Sequence, residues 1–136
     1  MASGCAPRVH PEEQTEYQAL AAAGAEMDLN PAGRIASVEL SRTPATDNDL
    51  RHLEGLSHVW CVSLYDTSIT DAGLAHVRGL GNLKWLDVEN TRVTAQGLRQ
   101  LTGLKKLITV WIGGLDISDD EIRQLQEAMP ATTFRR

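Results

Sequence analysis

The chain has 136 residues, 42% of them hydrophobic, and a formal net charge of −5, which fits one domain with its own buried core. The negative balance excludes a general nucleic-acid binder, whose phosphate contacts need a basic face, and no apolar run approaches the ~18 residues of a membrane-spanning helix. Cys5 and Cys61 lie too far apart in pattern to suggest a disulfide framework, so both read as reduced thiols.

Residues 1–10, MASGCAPRVH, carry no periodicity and read as a flexible tail. Ser3-Gly4-Cys5 resembles the end of a bacterial lipoprotein signal, but the charged and apolar regions that should precede it are missing. The default location is therefore cytoplasmic, with an envelope lipoprotein as the alternative if Cys5 carries lipid. Residues 11–34 read as an N-terminal cap. Pro11 opens a helix that Gly24 ends, with Glu12 and Glu13 in its first turn and Tyr17, Leu20 and Ala21 as an apolar stripe. Ala25 to Leu29 and Arg34 to Ser41 read as strands around the turn signal Asn30-Pro31-Ala32-Gly33. Helix plus hairpin would cover the first edge of a repeat stack.

Residues 35–130 repeat with a step of 24 residues. The columns Ile35-Val59-Leu83-Leu107, Val38-Val62-Leu86-Val110, Leu40-Leu64-Val88-Ile112, Leu50-Leu74-Leu98-Ile122, Leu53-Val77-Leu101-Leu125 and Leu56-Leu80-Leu104-Ala128 stay apolar over four rows. Thr43, Thr67 and Thr91 form a hydroxyl column suited to satisfying turn backbone, and Thr46, Thr70, Thr94 and Ser118 a column of helix N-cap type. Each row starts with strand-like alternation and ends with apolar spacing by three, a short helical segment. Asp71 and Asp119 suit helix starts, Ser118 to Glu121 has capping-box spacing, and Gly73 and Gly97 mark tight entry or close packing between coils. Row four replaces the Thr with Gly113-Gly114-Leu115, so its turn is expected to be reshaped. The last helix runs from Glu121 to Met129, stopped by Pro130, and residues 131–136 read as a C-terminal edge segment.

Val59-x-x-Val62-x-Leu64-x-x-Thr67-x-Ile69 resembles the leucine-rich repeat consensus, with Thr where many members have Asn or Cys. Ile69-Thr-Asp-Ala-Gly-Leu74 is similar to the ITDAGL variant of bacterial tandem leucine-rich repeats and of the cysteine-containing repeats of F-box proteins. The resemblance implies an α/β solenoid with a parallel sheet on its concave side, helices on its convex side, and a protein-binding role. The residues before the repeats are too few for an F-box.

Strand alternation sorts the candidate surface. If Val62 and Leu64 point inward, Cys61, Ser63 and Tyr65 face out, as do Glu39 in row one, Trp85, Asp87 and Glu89 in row three, and Trp111 in row four. An aromatic and acidic face, with Trp85 and Trp111 as diagonal neighbours, points to a protein or peptide partner of basic character. The competing expectation has the two rings stacked on each other, or lying under the terminal cap, as sheet cover. His52 and His76 share a column that continues as Gln100 and Gln124, a solvated polar position rather than a metal pair. Motifs of nucleophilic, phosphate-binding and metal-dependent enzymes are missing. No cofactor is expected, and an enzyme reading would rest on Cys61 alone. The main expectation is a non-catalytic interaction module; the alternative is a self-associating scaffold unit.

Overall fold

The computed structural model describes residues 8–136. Six strands form one sheet in chain order: β1 (Glu26–Leu29), β2 (Ile35–Glu39), β3 (Cys61–Ser63), β4 (Trp85–Asp87), β5 (Thr109–Trp111) and β6 (Thr133–Arg135). β1 pairs antiparallel with β2, and every later pair is parallel. The return connections carry α2 (Asp71–Leu74), α3 (Ala95–Leu98) and α4 (Asp119–Ala128), while row one returns through a 3-10 turn at Asp49–Leu53. α1 (Gln14–Ala22) precedes the sheet. This is an α/β solenoid of leucine-rich-repeat topology.

The 24-residue columns are what the stacking buries. Val38, Val62, Leu86 and Val110 are direct cross-strand partners and all lie in the core. Leu40-Leu64-Val88-Ile112 and Leu53-Val77-Leu101-Leu125 run parallel to them, equally buried. Each row alone would leave this edge in water, so the rows stabilise one another by burying one continuous apolar spine. The column ending at Ala128 departs from its spacing. Ala128 is exposed and Met129 fills the core instead. α4 is a continuous α-helix, whereas α3 gives way to a 3-10 segment at Arg99–Gly103, so its residues reach the core at a different step.

The turn after each strand uses a left-handed residue at one fixed position. Arg42, Asp66, Asn90 and Gly114 have φ of 59°, 56°, 54° and 75°. Row four therefore keeps the turn that its Gly113-Gly114 was expected to reshape, because glycine enters this region without a Cβ penalty. What row four loses is the hydroxyl bond: Thr43, Thr67 and Thr91 donate to the carbonyls of Leu40, Leu64 and Val88 at 2.6, 2.7 and 2.7 Å, and Leu115 cannot.

Rows are also keyed by side-chain bonds on the helical side. Asp47 accepts from the Thr70 N–H and hydroxyl at 2.8 and 2.6 Å, and Asp71 accepts from Thr94 in the same way at 2.7 and 2.6 Å. Asp71 thus serves the next row rather than only its own helix start. Gly73 and Gly97 make room for these aspartates: a Cβ on Gly73 would lie 2.5 Å from Asp47 Oδ1, and one on Gly97 would collide with Asp71. In the next step Ala95 replaces the aspartate and Glu121 replaces the glycine, and Ser118 completes a capping box with Glu121 of its own row.

At the N-terminal end, Glu13 is buried and accepts from the Ile35 N–H at 2.6 Å, with Arg34 beside it. Leu20 is fully buried and Tyr17 packs on the core, while Ala21 of the expected stripe is exposed. Val9 is buried and the His10 N–H donates to the Gly33 carbonyl at 2.8 Å, so residues 8–10 lie along the hairpin turn. Cys5, with Ser3 and Gly4, falls outside the described residues. At the other end residues 131–136 add β6 on β5, and no helix is long and apolar enough to cross a membrane among the described residues.

Candidate functional site

The outward positions of the sheet form rows across the strands. One runs Asp28, Ser37, Cys61, Trp85, Thr109, Thr133; the next runs Glu26, Glu39, Ser63, Asp87, Trp111, Arg135. The strands β3, β4 and β5 are only three residues long. Tyr65 and Glu89 therefore sit beyond them, at the start of the left-handed turns. Those turns still bond across rows, with the Asp66 N–H donating to the Glu89 carbonyl at 3.0 Å.

A shallow depression of about 250 Å³ lies on this face, lined by Glu39, Cys61, Val62, Ser63, Trp85, Asp87 and Trp111. It unites five of the seven residues singled out from sequence. Tyr65 and Glu89 do not line it; the Tyr65 ring lies under the Arg42 guanidinium, 5.3 Å from its centroid. Asp87 is two residues from Trp85 on β4 and is the cross-strand partner of Trp111, so it stands between the two indoles.

Trp85 and Trp111 are not stacked as an isolated pair. The aromatic partner of Trp85 is Trp60, whose ring centroid is 5.1 Å away at an interplanar angle of 69°, an edge-to-face contact. Both Trp60 and Trp85 remain 38% exposed, and Ile108 is 48% exposed. Trp60, Lys84 and Ile108 share one column just ahead of the strands. Alternation alone would turn Trp60 inward. It lies outside the regular strand, where its carbonyl accepts from both Lys84 and Trp85 N–H groups, at 2.8 and 3.1 Å. That irregularity breaks the period that locates the other residues.

The face is strongly acidic. β1 contributes Glu26 and Asp28, placed there by the antiparallel register. The Ser37 hydroxyl donates to Asp28 at 3.0 Å. Glu39 Oε1 accepts from the Ser41 N–H at 2.8 Å and Asp87 Oδ1 from the Glu89 N–H at 2.9 Å, each a local bond that ties the carboxylate to the backbone two residues on. Among the described residues, Glu26, Asp28, Glu39, Asp87 and Glu89 are in no ion pair. Burial pushes the Asp87 carboxyl above its usual range, against the Glu89 N–H bond and with help from the Glu89 and Glu39 charges. Burial also pushes the Cys61 thiol up, reinforced by Glu39, Asp87 and Asp28. A thiol so placed is protonated at neutral pH, the opposite of what a nucleophile needs.

Elsewhere, His76 bonds to Glu54 and not to His52. Among the described residues no group of three or more His, Cys, Asp or Glu side chains is placed to hold a metal ion. A second depression of about 200 Å³ lies at the C-terminal end between Leu104, Met129, Pro130 and Thr132. It has no charged lining group other than Lys105.

The sequence matches no protein-family model and no curated protein. The fold matches solved structures, 43 chains in all. An internalin, InlF of Listeria monocytogenes, aligns with a TM-score of 0.50 and 16% identity over 75% of this chain and 34% of that one. The PEPR1–AtPEP1 structure aligns with a TM-score of 0.47 and 12% identity over 93% of this chain and 23% of that one. The chain thus spans about a third or less of the length of these structures, and the likeness is one of fold.

Proposed function

We propose that the chain is a non-catalytic interaction module that binds a basic protein or peptide segment on its concave sheet. The observation that carries this reading is the juxtaposition of exposed indoles with carboxylates that are in no ion pair among the described residues. Trp60 and Trp85 keep 38% of their surface in water, next to a depression whose acidic side chains pair with no cation among the described residues. Indole surface of this kind is costly in water and is enriched where binding energy concentrates. Tyr65, Glu89 and Arg42 border the site on its turn side.

The test is selection of random linear peptides on the immobilised chain, repeated with the Trp85→Ala/Trp111→Ala variant after circular dichroism shows it folded. Peptides retained by wild type and lost by the variant support the reading. Peptides retained equally by both would overturn it. A second reading is self-association through β6, whose outer edge has no pairing strand among the described residues. It predicts a mass that rises with concentration and ignores changes at the tryptophans.

A further inference from the structure

The depression is small for a ligand pocket, at about 250 Å³, below the ~300 Å³ at which small-molecule sites begin. It fits the head of one side chain. Its chemistry is specific. Glu39 and Asp87 flank Ser63 from neighbouring strands in one cross-strand row, which separates their backbones by roughly 10 Å. Each carboxylate has one oxygen tied to a backbone N–H two residues on. Among the described residues the other oxygen of each accepts nothing, and the Ser63 hydroxyl between them is bonded to Ser41 at 2.7 Å. The two carboxylates thus lie on either side of Ser63 in a depression that the Trp85 and Trp111 side chains also line.

Resting on the concave-face reading, we infer that this gap seats one arginine side chain of the partner segment, its guanidinium against the indoles of Trp85 and Trp111 and its N–H groups on the free oxygens of Asp87 and Glu39. Guanidinium is flat, so it can lie on an indole face while its edges donate to carboxylates. Ammonium can do either but not both with comparable geometry. The chain's own cations do not fill the place. Arg42 lies over Tyr65, and Arg135 flanks Trp111 on the side away from Asp87. Burial raises the Asp87 carboxyl and the Cys61 thiol, and the neighbouring carboxylates add to both shifts.

The experiment titrates the full chain with the pentapeptide Gly-Gly-Arg-Gly-Gly while following the tryptophan indole N–H signals by NMR. The same peptide with citrulline, neutral but of the same shape, and one with lysine run beside it. The arginine peptide is expected to move the Trp85 and Trp111 signals along a saturable curve, and the citrulline peptide to bind about tenfold more weakly. Asp87→Asn and Glu39→Gln should each weaken the arginine peptide by roughly fivefold. Its affinity should also fall as pH drops through the raised Asp87 pKa, with Glu39, Glu89 and Cys61 as the neighbouring titrating groups. Equal binding of arginine and citrulline peptides, full affinity in both carboxylate variants, or no movement of either indole at about 50 mM peptide would each overturn the inference. Selected peptides that need Trp85 and Trp111 but contain no arginine would also overturn it while leaving the interaction module standing.

Discussion

Gly97 and Asp71 are one structural unit although they belong to different rows. The carboxylate that bonds Thr94 occupies the space a Cβ on Gly97 would need. Gly97→Ala is therefore expected to cost about 1–3 kcal/mol by overpacking. Asp71→Ala should cost about 1–2 kcal/mol through two lost hydrogen bonds. The double variant should cost clearly less than the sum, because removing the carboxylate removes the clash. Urea denaturation of the four proteins closes the cycle, and additive losses would disprove the coupling. Asp87 gives a second residue-scale expectation. Its carboxyl titrates above the usual range because the fold buries it among acids. Between its unfolded pKa, near 3.9, and its higher folded value, the native state binds more protons, so stability falls as pH rises. Asp87→Asn should hence raise the melting temperature at neutral pH, and the gain should vanish in acid as wild-type Asp87 becomes protonated.

At the scale of elements, the helical segments are held by caps more than by length. α2 and α3 have four residues each, far below what is stable alone. α4 stands apart, with ten residues and a reciprocal Ser118–Glu121 cap that holds the Glu121 carboxyl below its usual range. That contribution is present above the unfolded carboxylate pKa and is lost as pH falls through the lower folded value. The protection of the Glu121 to Arg123 amides against exchange, taken relative to the intrinsic rate at each pH, should fall on acidification in wild type. In Ser118→Ala that protection should be low already at neutral pH and change less, and an unaltered acid response in that variant would contradict the cap's role. The caps, the columns and the strand order were legible in the sequence because the row length never varies. Ser118-Asp-Asp-Glu121 could be read from spacing alone. The partnership of Asp47 with Thr70 could not, since it crosses between rows at a separation of 23 residues. Trp85, Asp87 and Trp111 were legible as surface through alternation. Trp60 was not, because it precedes the strand, and Glu26 and Asp28 were not, because their face depends on the hairpin register.

The whole molecule is a stack whose outer rows differ chemically from its inner ones. Thr46 in row one bonds Asp49 of its own row, and Ser118 in row four bonds Glu121 of its own row. Among the described residues, only rows two and three draw their cap bonds from a predecessor. A nearest-neighbour stack gains stability with every well-matched interface added. A second copy of residues 59–82 inserted after Asn82 presents Asp71 to a new Thr and a new Gly, the same match that row three already makes. The enlarged chain should fold, lengthen by one strand spacing of about 4.8 Å, and melt higher in a thermal scan. The same insertion made from residues 107–130 should lower the melting temperature, because it sets Glu121 where the preceding aspartate needs a glycine. The chain thus carries a grammar of succession, in which an Asp row must be followed by a Gly row and an Ala row by a Glu row. Its middle is open to growth by duplication, and its fourth row departs from the Asp–Gly rule in two side chains, Ser118 and Glu121, that bond each other.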